Sequence, residues 1–309
     1  MRPRDRQLAE RLEAGLVHFD RHEGRMPGVG DLVRRTVFIE QLLESIHRIQ
    51  FIGIMRTRPL SDRRTDPGDE LFDPLKAAIL RQRQGEIEEA FWLVFLFVHF
   101  GKHTRAGWRY AREVYGRLGD GRPWNWASVS ANTPDFRDWL DRHQAALMRG
   151  AGPRGFGNHR KRESLSGSSD KGTGAVVASY VAWVAPPRTQ LQLMGEALEQ
   201  ADSDPRKAFD ILYDSMQAVI RFGRLARFDY LAMVGKLELA PIKPGSPYLV
   251  GSTGPLQGAR LLFGGNERAM ELNRLLVKLD AQLDVGMQVL EDALCNWQKS
   301  PSKFERYRG

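Results

Sequence analysis

Apolar positions in this chain recur at spacings of three and four rather than two. They do so over thirteen stretches: Arg6–His18, Leu32–Phe51, Asp73–Gln84, Ile87–Phe100, Gly107–Arg117, Pro134–Met148, Gly174–Trp183, Arg188–Gln200, Pro205–Ala218, Leu225–Leu237, Pro255–Leu262, Arg268–Leu279 and Gly286–Gln298. That period lines one face of an α-helix, whereas alternating β-branched runs, the mark of strands, are scarce. The expected architecture is all-α, a multi-helix domain. Start signals agree with it. In Asp73-Pro74, Thr133-Pro134 and Asp204-Pro205 an acceptor side chain precedes proline at the first helical position, where the missing N–H costs nothing.

The most apolar stretch, Ala90–Phe100 (AFWLVFLFVHF), spans 11 residues. It is too short to cross a bilayer and reads as a buried core helix. The clearest break in periodicity is 149–173 (RGAGPRGFGNHRKRESLSGSSDKGT), rich in Gly, Ser and basic residues. Arg149, Arg154, Arg160, Lys161, Arg162 and Lys171 outnumber Glu163 and Asp170 there. Long loops of this kind are linkers or functional elements. Either a flexible linker or a functional loop fits the composition, and Phe156 with Asn158-His159 favours the functional one. The chain is therefore expected to be a single helical domain, 1–309, divisible into lobes 1–148 and 174–309 around a basic cleft.

Charge sharpens this picture. The 309 residues carry 46 Lys and Arg against 38 Asp and Glu, a net +8, which makes a polyanionic partner an expectation. Arginine spread over solvated faces would produce the same total. Cys295 is the single cysteine, so an internal disulfide and a cysteine zinc cluster are excluded. With an N-terminus, MRPRDRQLAERLEAGL, that reads as an amphipathic helix rather than a signal peptide, a cytoplasmic protein with no membrane association is expected. The C-terminal tail adds Lys299, Lys303, Arg306 and Arg308 against Glu305, suited to a phosphate backbone or simply to solubility.

Several junctions could carry chemistry. FVHFGKH (Phe97–His103) ends a helix at Gly101 and presents His99, Lys102 and His103; GFGNHRK (Gly155–Lys161) carries Asn158, His159, Arg160 and Lys161. His99 and His103 have a ligand-like separation of four, but the intervening glycine ends the helix and no third ligand accompanies them, so no metal is expected. In FGRLARFDYLAMVGKL (Phe222–Leu237), Asp229 lies between Phe228 and Tyr230, beside Arg221, Arg224 and Arg227. Such a carboxylate serves either to face developing positive charge or to pair with a neighbouring arginine. YLVGSTGPLQGARLLFGG (Tyr248–Gly265) places Gly254 and Gly258 in a segment able to cradle phosphate or to pack helices closely, and it lacks the P-loop order. LEDALCNWQKS sets Asp292, Asn296 and Lys299 on one helix face, where they hold a ligand or form a solvated polar stripe.

Taken in order, FDPLKAAIL, AFWLVFLFVHFGKH, GFGNHRK, FGRLARFDYLAMVGKL, GSTGPLQGARLLFGG and ALCNWQKSP resemble the α-glutamyl/putrescinyl thymine pyrophosphorylase family, clade three. More distantly they are similar to the helical domain of 5-hydroxymethyluracil DNA kinases. The chain departs from that kinase-like pattern in carrying Asn296 and Gln298 where it is acidic, and Arg221 where the hairpin turn carries its first glycine. The resemblance implies a fold like that of helix–hairpin–helix DNA glycosylases and action on modified pyrimidines of phage-type DNA; no cofactor is expected.

Three activities follow from it. One is a glycosylase that excises bulky, hydroxymethyl-derived bases such as glucosylated ones, in defence against phage. Another is a transferase that condenses an amine or amino acid with activated 5-hydroxymethyluracil; the last is a non-catalytic module that binds modified DNA. A glycosylase needs one carboxylate and a pocket for a flipped base. Asp229, then Asp292, would supply the first. Phe228 and Tyr230 would stack, and His99, Asn158, His159 and Asn296 would line the pocket. Lys102, Arg160, Lys161, Lys299 and the amides of Gly254 to Gly258 would hold phosphates.

Overall fold

The computed structural model describes residues 3–149, 151–265 and 267–306. They form fourteen α-helices, with no β-sheet among the described residues. The all-α expectation is correct. Contacts divide the chain into two compact units, one joining the residues up to Ile54 with those from Pro244 onward, the other comprising Met55–Lys243. The described part of the basic segment 149–173 belongs to the second unit. Arg308 lies outside the described residues.

The first unit is built from α1 (Arg6–His22), most of α2 (Leu32–Thr57), α12 (Gly254–Phe263), α13 (Ala269–Leu283) and α14 (Met287–Trp297). The three-four periodicity of α1 puts Leu12, Leu16 and Phe19 inward, where they join Phe38, Leu42, Leu276, Leu290 and Trp297 in one buried cluster. The rings of Phe38 and Trp297 lie 4.9 Å apart. Helices α12 and α14 approach so closely that a Cβ on Gly258 would come within 2.4 Å of the Leu294 carbonyl oxygen. A Cβ on Gly254 would come within 2.8 Å of Cys295 Sγ.

The second unit surrounds α4 (Ile87–Phe100), whose residues are buried almost throughout from Glu89 onward. A helix apolar on every side has to be enclosed, and its neighbours include α3 (Pro74–Arg83) and α11 (Arg224–Lys236). The remaining helices of this unit are α5 (Arg109–Tyr115), α6 (Trp126–Ala131), α7 (Thr133–Arg149), α8 (Thr173–Val184), α9 (Gln190–Gln200) and α10 (Pro205–Ser215). Phe95 stacks on Tyr180 at 3.9 Å and on Phe222 at 5.0 Å, and Trp92 Nε1 donates to the Trp124 carbonyl at 2.8 Å. No helix is long and apolar enough to cross a membrane among the described residues.

Side-chain caps fix several helix starts. Asp73 accepts from the amides of Leu75 and Lys76, Asp204 from those of Arg206 and Lys207, and Thr189 forms a capping box with Gln192. The start of α7 differs from the sequence expectation. Asn132 accepts from the Asp135 amide, while the Thr133 hydroxyl donates back to the Val129 carbonyl. Helix α6 has no counterpart among the stretches read from periodicity, since six residues are too few to display it.

Two measurements check this packing. Gly258→Ala forces the Leu294 backbone to move and should destabilise the protein by about 1–3 kcal/mol. Gly195→Ala in α9, where a Cβ meets nothing within 4 Å, should instead stabilise it by about 0.5–1 kcal/mol in denaturant unfolding. The second check is Glu89. Burial raises its carboxyl above the usual range although it accepts from the Tyr115 hydroxyl and the Trp126 amide. A carboxyl raised on folding contributes stability that is present below its unfolded value and lost as pH rises. Glu89→Gln should therefore flatten the fall in stability as pH rises above the ordinary carboxylate range.

Candidate functional site

Helix α4 ends at Gly101, whose φ of +62° suits glycine and leaves the last carbonyls of the helix to be satisfied from outside. The GFGNHRK segment supplies the partners. The Gly157 amide donates to the Phe100 carbonyl at 2.8 Å, and Arg160 Nε donates to the His99 carbonyl at 3.1 Å. The two backbones cross without room for a side chain. A Cβ on Gly157 would lie 2.7 Å from the Gly101 carbonyl carbon. A guanidinium at a helix C-terminus also faces the negative end of its dipole.

Arg160 is the hinge of this arrangement. Its side chain is 10% exposed, its Nη1 donates to the Arg221 carbonyl at 3.3 Å, and its guanidinium lies 5.1 Å above the Phe222 ring. Burial pulls it below the usual arginine range, against which Glu163 and Asp229 hold it up. Glu163 is shared, since Arg221 donates to both of its carboxylate oxygens at 3.1 and 3.2 Å. Asp229 on α11 is half-buried, and its charge acts on Arg160. Three of the segments read as candidates, FVHFGKH, GFGNHRK and FGRLARFDY, thus converge.

The remaining second-unit candidates occupy distinct environments. His99 is wholly buried, stacked on Phe95 with ring centroids 5.9 Å apart. The Thr173 hydroxyl donates to the Ser164 carbonyl at 2.7 Å, so it must accept from His99 Nε2 at 3.0 Å. That fixes the Nε2–H tautomer and leaves Nδ1 buried without a hydrogen-bond partner among the described residues. Burial, reinforced by Arg160, drives His99 well below the usual histidine range, so it is neutral. Phe228 and Tyr230 are core residues, Tyr230 sharing a 2.9 Å hydrogen bond with Tyr180. Asn158, His159, Lys161 and Lys102 are exposed.

Lys102 continues into a feature that periodicity could not show. It lines a cleft of about 460 Å³ with Arg64, Lys76, Arg105, Arg109 and Arg112, and with only Glu70 and Asp73 as acids. The turn between His103 and Gly107 shapes one wall: the two residues exchange backbone hydrogen bonds of 2.9 and 3.0 Å, and His103 Nδ1 accepts from the Ala106 amide at 2.9 Å. The interleaved cations and Trp108 in KHTRAGWRYAR were the available signal for this cleft.

Asp292, Asn296, Lys299, Gly254 and Gly258 belong to the first unit. There Asn296 Nδ2 donates to Asp292 Oδ1 at 3.2 Å and to its carbonyl at 3.0 Å, and Lys299 Nζ donates to Asn296 Oδ1 at 3.1 Å. Asp292 also pairs with Arg48, a partner far away in sequence. Gly258 is buried in the contact with α14, and Gly254 opens α12. Among the described residues no group of three or more His, Cys, Asp or Glu side chains is gathered as a metal site requires.

The sequence profile of the alpha-glutamyl/putrescinyl thymine pyrophosphorylase family, clade 3, matches residues 33–309. The chain belongs to this family. The match takes in the converging segments of the second unit and the Asp292–Lys299 stripe of the first. Among curated proteins and among solved structures, none matches significantly.

The Gly101–Gly157 crossing generates a test. Gly157→Ala should push the GFGNHRK segment off the end of α4, cost about 1–3 kcal/mol, and make cleavage by trypsin at Lys161 faster than in the parent protein.

Proposed function

We propose that this clade 3 family member acts on modified pyrimidines in phage-type DNA, as a glycosylase that removes bulky hydroxymethyl-derived bases such as glucosylated ones. In that reaction the bond between the sugar C1′ and the base nitrogen breaks, its electron pair leaves with the base, and water adds its oxygen at C1′ while its proton passes by way of the carboxylate to the base nitrogen, giving an abasic site. A carboxylate stabilises the oxocarbenium-like sugar and activates the water. Asp229 is assigned that role. Asn158, His159 and Lys161 lie on the segment that Arg160 anchors, where they would meet base and phosphate.

The observation that carries this reading is the placement of Asp229. It is half-buried on α11, in one of three converging segments of the family signature, and its charge acts on Arg160. The family's description, with its modified thymine, supports a modified base as the target. A second reading, condensation of an amine with activated 5-hydroxymethyluracil, is favoured by the word pyrophosphorylase in that description and by a cleft lined by six cations. Polyphosphate departure needs such charge.

Product analysis separates the two. With DNA containing ordinary, hydroxymethylated or glucosylated pyrimidines, a glycosylase yields alkali-labile sites on the modified substrates. A transferase yields none, and instead needs pyrophosphorylated hydroxymethyluracil DNA plus an amine. Asp229→Asn should lower strand-break yield by about 10²–10³-fold, whereas Asp292→Asn should change it less than about tenfold. The opposite ranking would transfer the role to Asp292.

A further inference from the structure

The cleft lined by Lys102 has a charge pattern that its own residues do not use up. Lys76 lies 3.5 Å from Asp73, Arg109 Nε donates to Glu113 at 2.7 Å, and Arg64 Nη1 donates to the Leu71 carbonyl at 2.8 Å. Asp73 is occupied in turn, because it caps α3. Lys102, Arg105 and Arg112 are different. None of their side chains makes an ion pair or hydrogen bond among the described residues. One acid on the wall, the exposed Glu70, remains to offset three such cations.

The Trp108 indole, packed against Phe97 at 5.1 Å, also lines the cleft. Three uncommitted cations around one cleft match the chemistry of phosphate: several negatively charged acceptor oxygens on a compact group. The cleft's volume of about 460 Å³ is sufficient for one or two phosphate groups with an attached sugar.

We infer that this cleft binds a phosphate-bearing ligand, with Lys102, Arg105 and Arg112 on its oxygens. The phosphate is either a phosphodiester of a DNA strand or free pyrophosphate. The inference rests on the functional reading only for this choice of nucleic-acid chemistry. It requires no turnover, so it survives if no base is released.

The test uses the full chain with a labelled, unmodified oligonucleotide, measured by fluorescence anisotropy over a range of salt, and with inorganic pyrophosphate titrated directly by calorimetry. Arg105→Gln/Arg112→Gln should weaken oligonucleotide binding at least about tenfold and reduce the slope of log affinity against log salt by about 1.4–1.8. Pyrophosphate binding that the double variant abolishes while oligonucleotide affinity stays unchanged assigns the cleft to free pyrophosphate; weakened oligonucleotide binding with the reduced slope assigns it to the phosphodiester. Lys102→Gln, at an exposed side chain, gives an independent version should the double variant not fold. Unaltered affinity and slope for both probes in a folded variant would overturn the inference.

Discussion

The second unit depends on how the carbonyl end of α4 is satisfied. A helix this apolar is stable only when enclosed, and an enclosed helix end leaves carbonyls that water cannot reach. The Gly157 amide and the Arg160 guanidinium take the place of water on the Phe100 and His99 carbonyls. Everything proposed for the site follows from that contact. It fixes the GFGNHRK segment, and with it the position of Arg160 over Phe222 and of Asn158, His159 and Lys161 at the surface.

The same contact links charge to position. A guanidinium removed from water is favourable only if its hydrogen bonds and charge are compensated. Two backbone carbonyls, the Phe222 ring, Glu163 and Asp229 provide this for most of Arg160, while its Nη2 is buried without a hydrogen-bond partner among the described residues. Asp229 is thereby part of a charge arrangement built around the helix end, rather than an isolated surface acid. His99 is held by similar logic. Its Nε2–H tautomer is dictated by Thr173, whose own proton is committed to Ser164.

What was legible in the sequence depended on how local its cause was. The apolar run of α4 and the Asp-Pro caps of α3 and α10 rest on neighbouring residues, and periodicity identifies them. The convergence of His99, Arg160 and Asp229 is a tertiary event between residues 61 or more positions apart, such as the Arg160–His99 bond, and no local pattern encodes it. Composition also cannot separate a glycine that bares its amide from one that lets helices touch. Gly258 belongs to a Gly-rich segment that reads either way, and the structure sets it against the Leu294 carbonyl. The cations of the Lys102 cleft come from segments around Arg64, Lys76 and Arg105, so sequence displays them as scattered charge.

On the proposed glycosylase reaction, a modified base is released while the DNA backbone is left otherwise intact. The most direct measurement is the intact mass of an oligonucleotide carrying a single glucosylated hydroxymethylpyrimidine, after one turnover in excess protein. The account predicts a loss equal to replacement of the base by a hydroxyl, with the free base recovered in equal amount. An oligonucleotide of unchanged mass, or one that keeps its base and gains an added group, would contradict it.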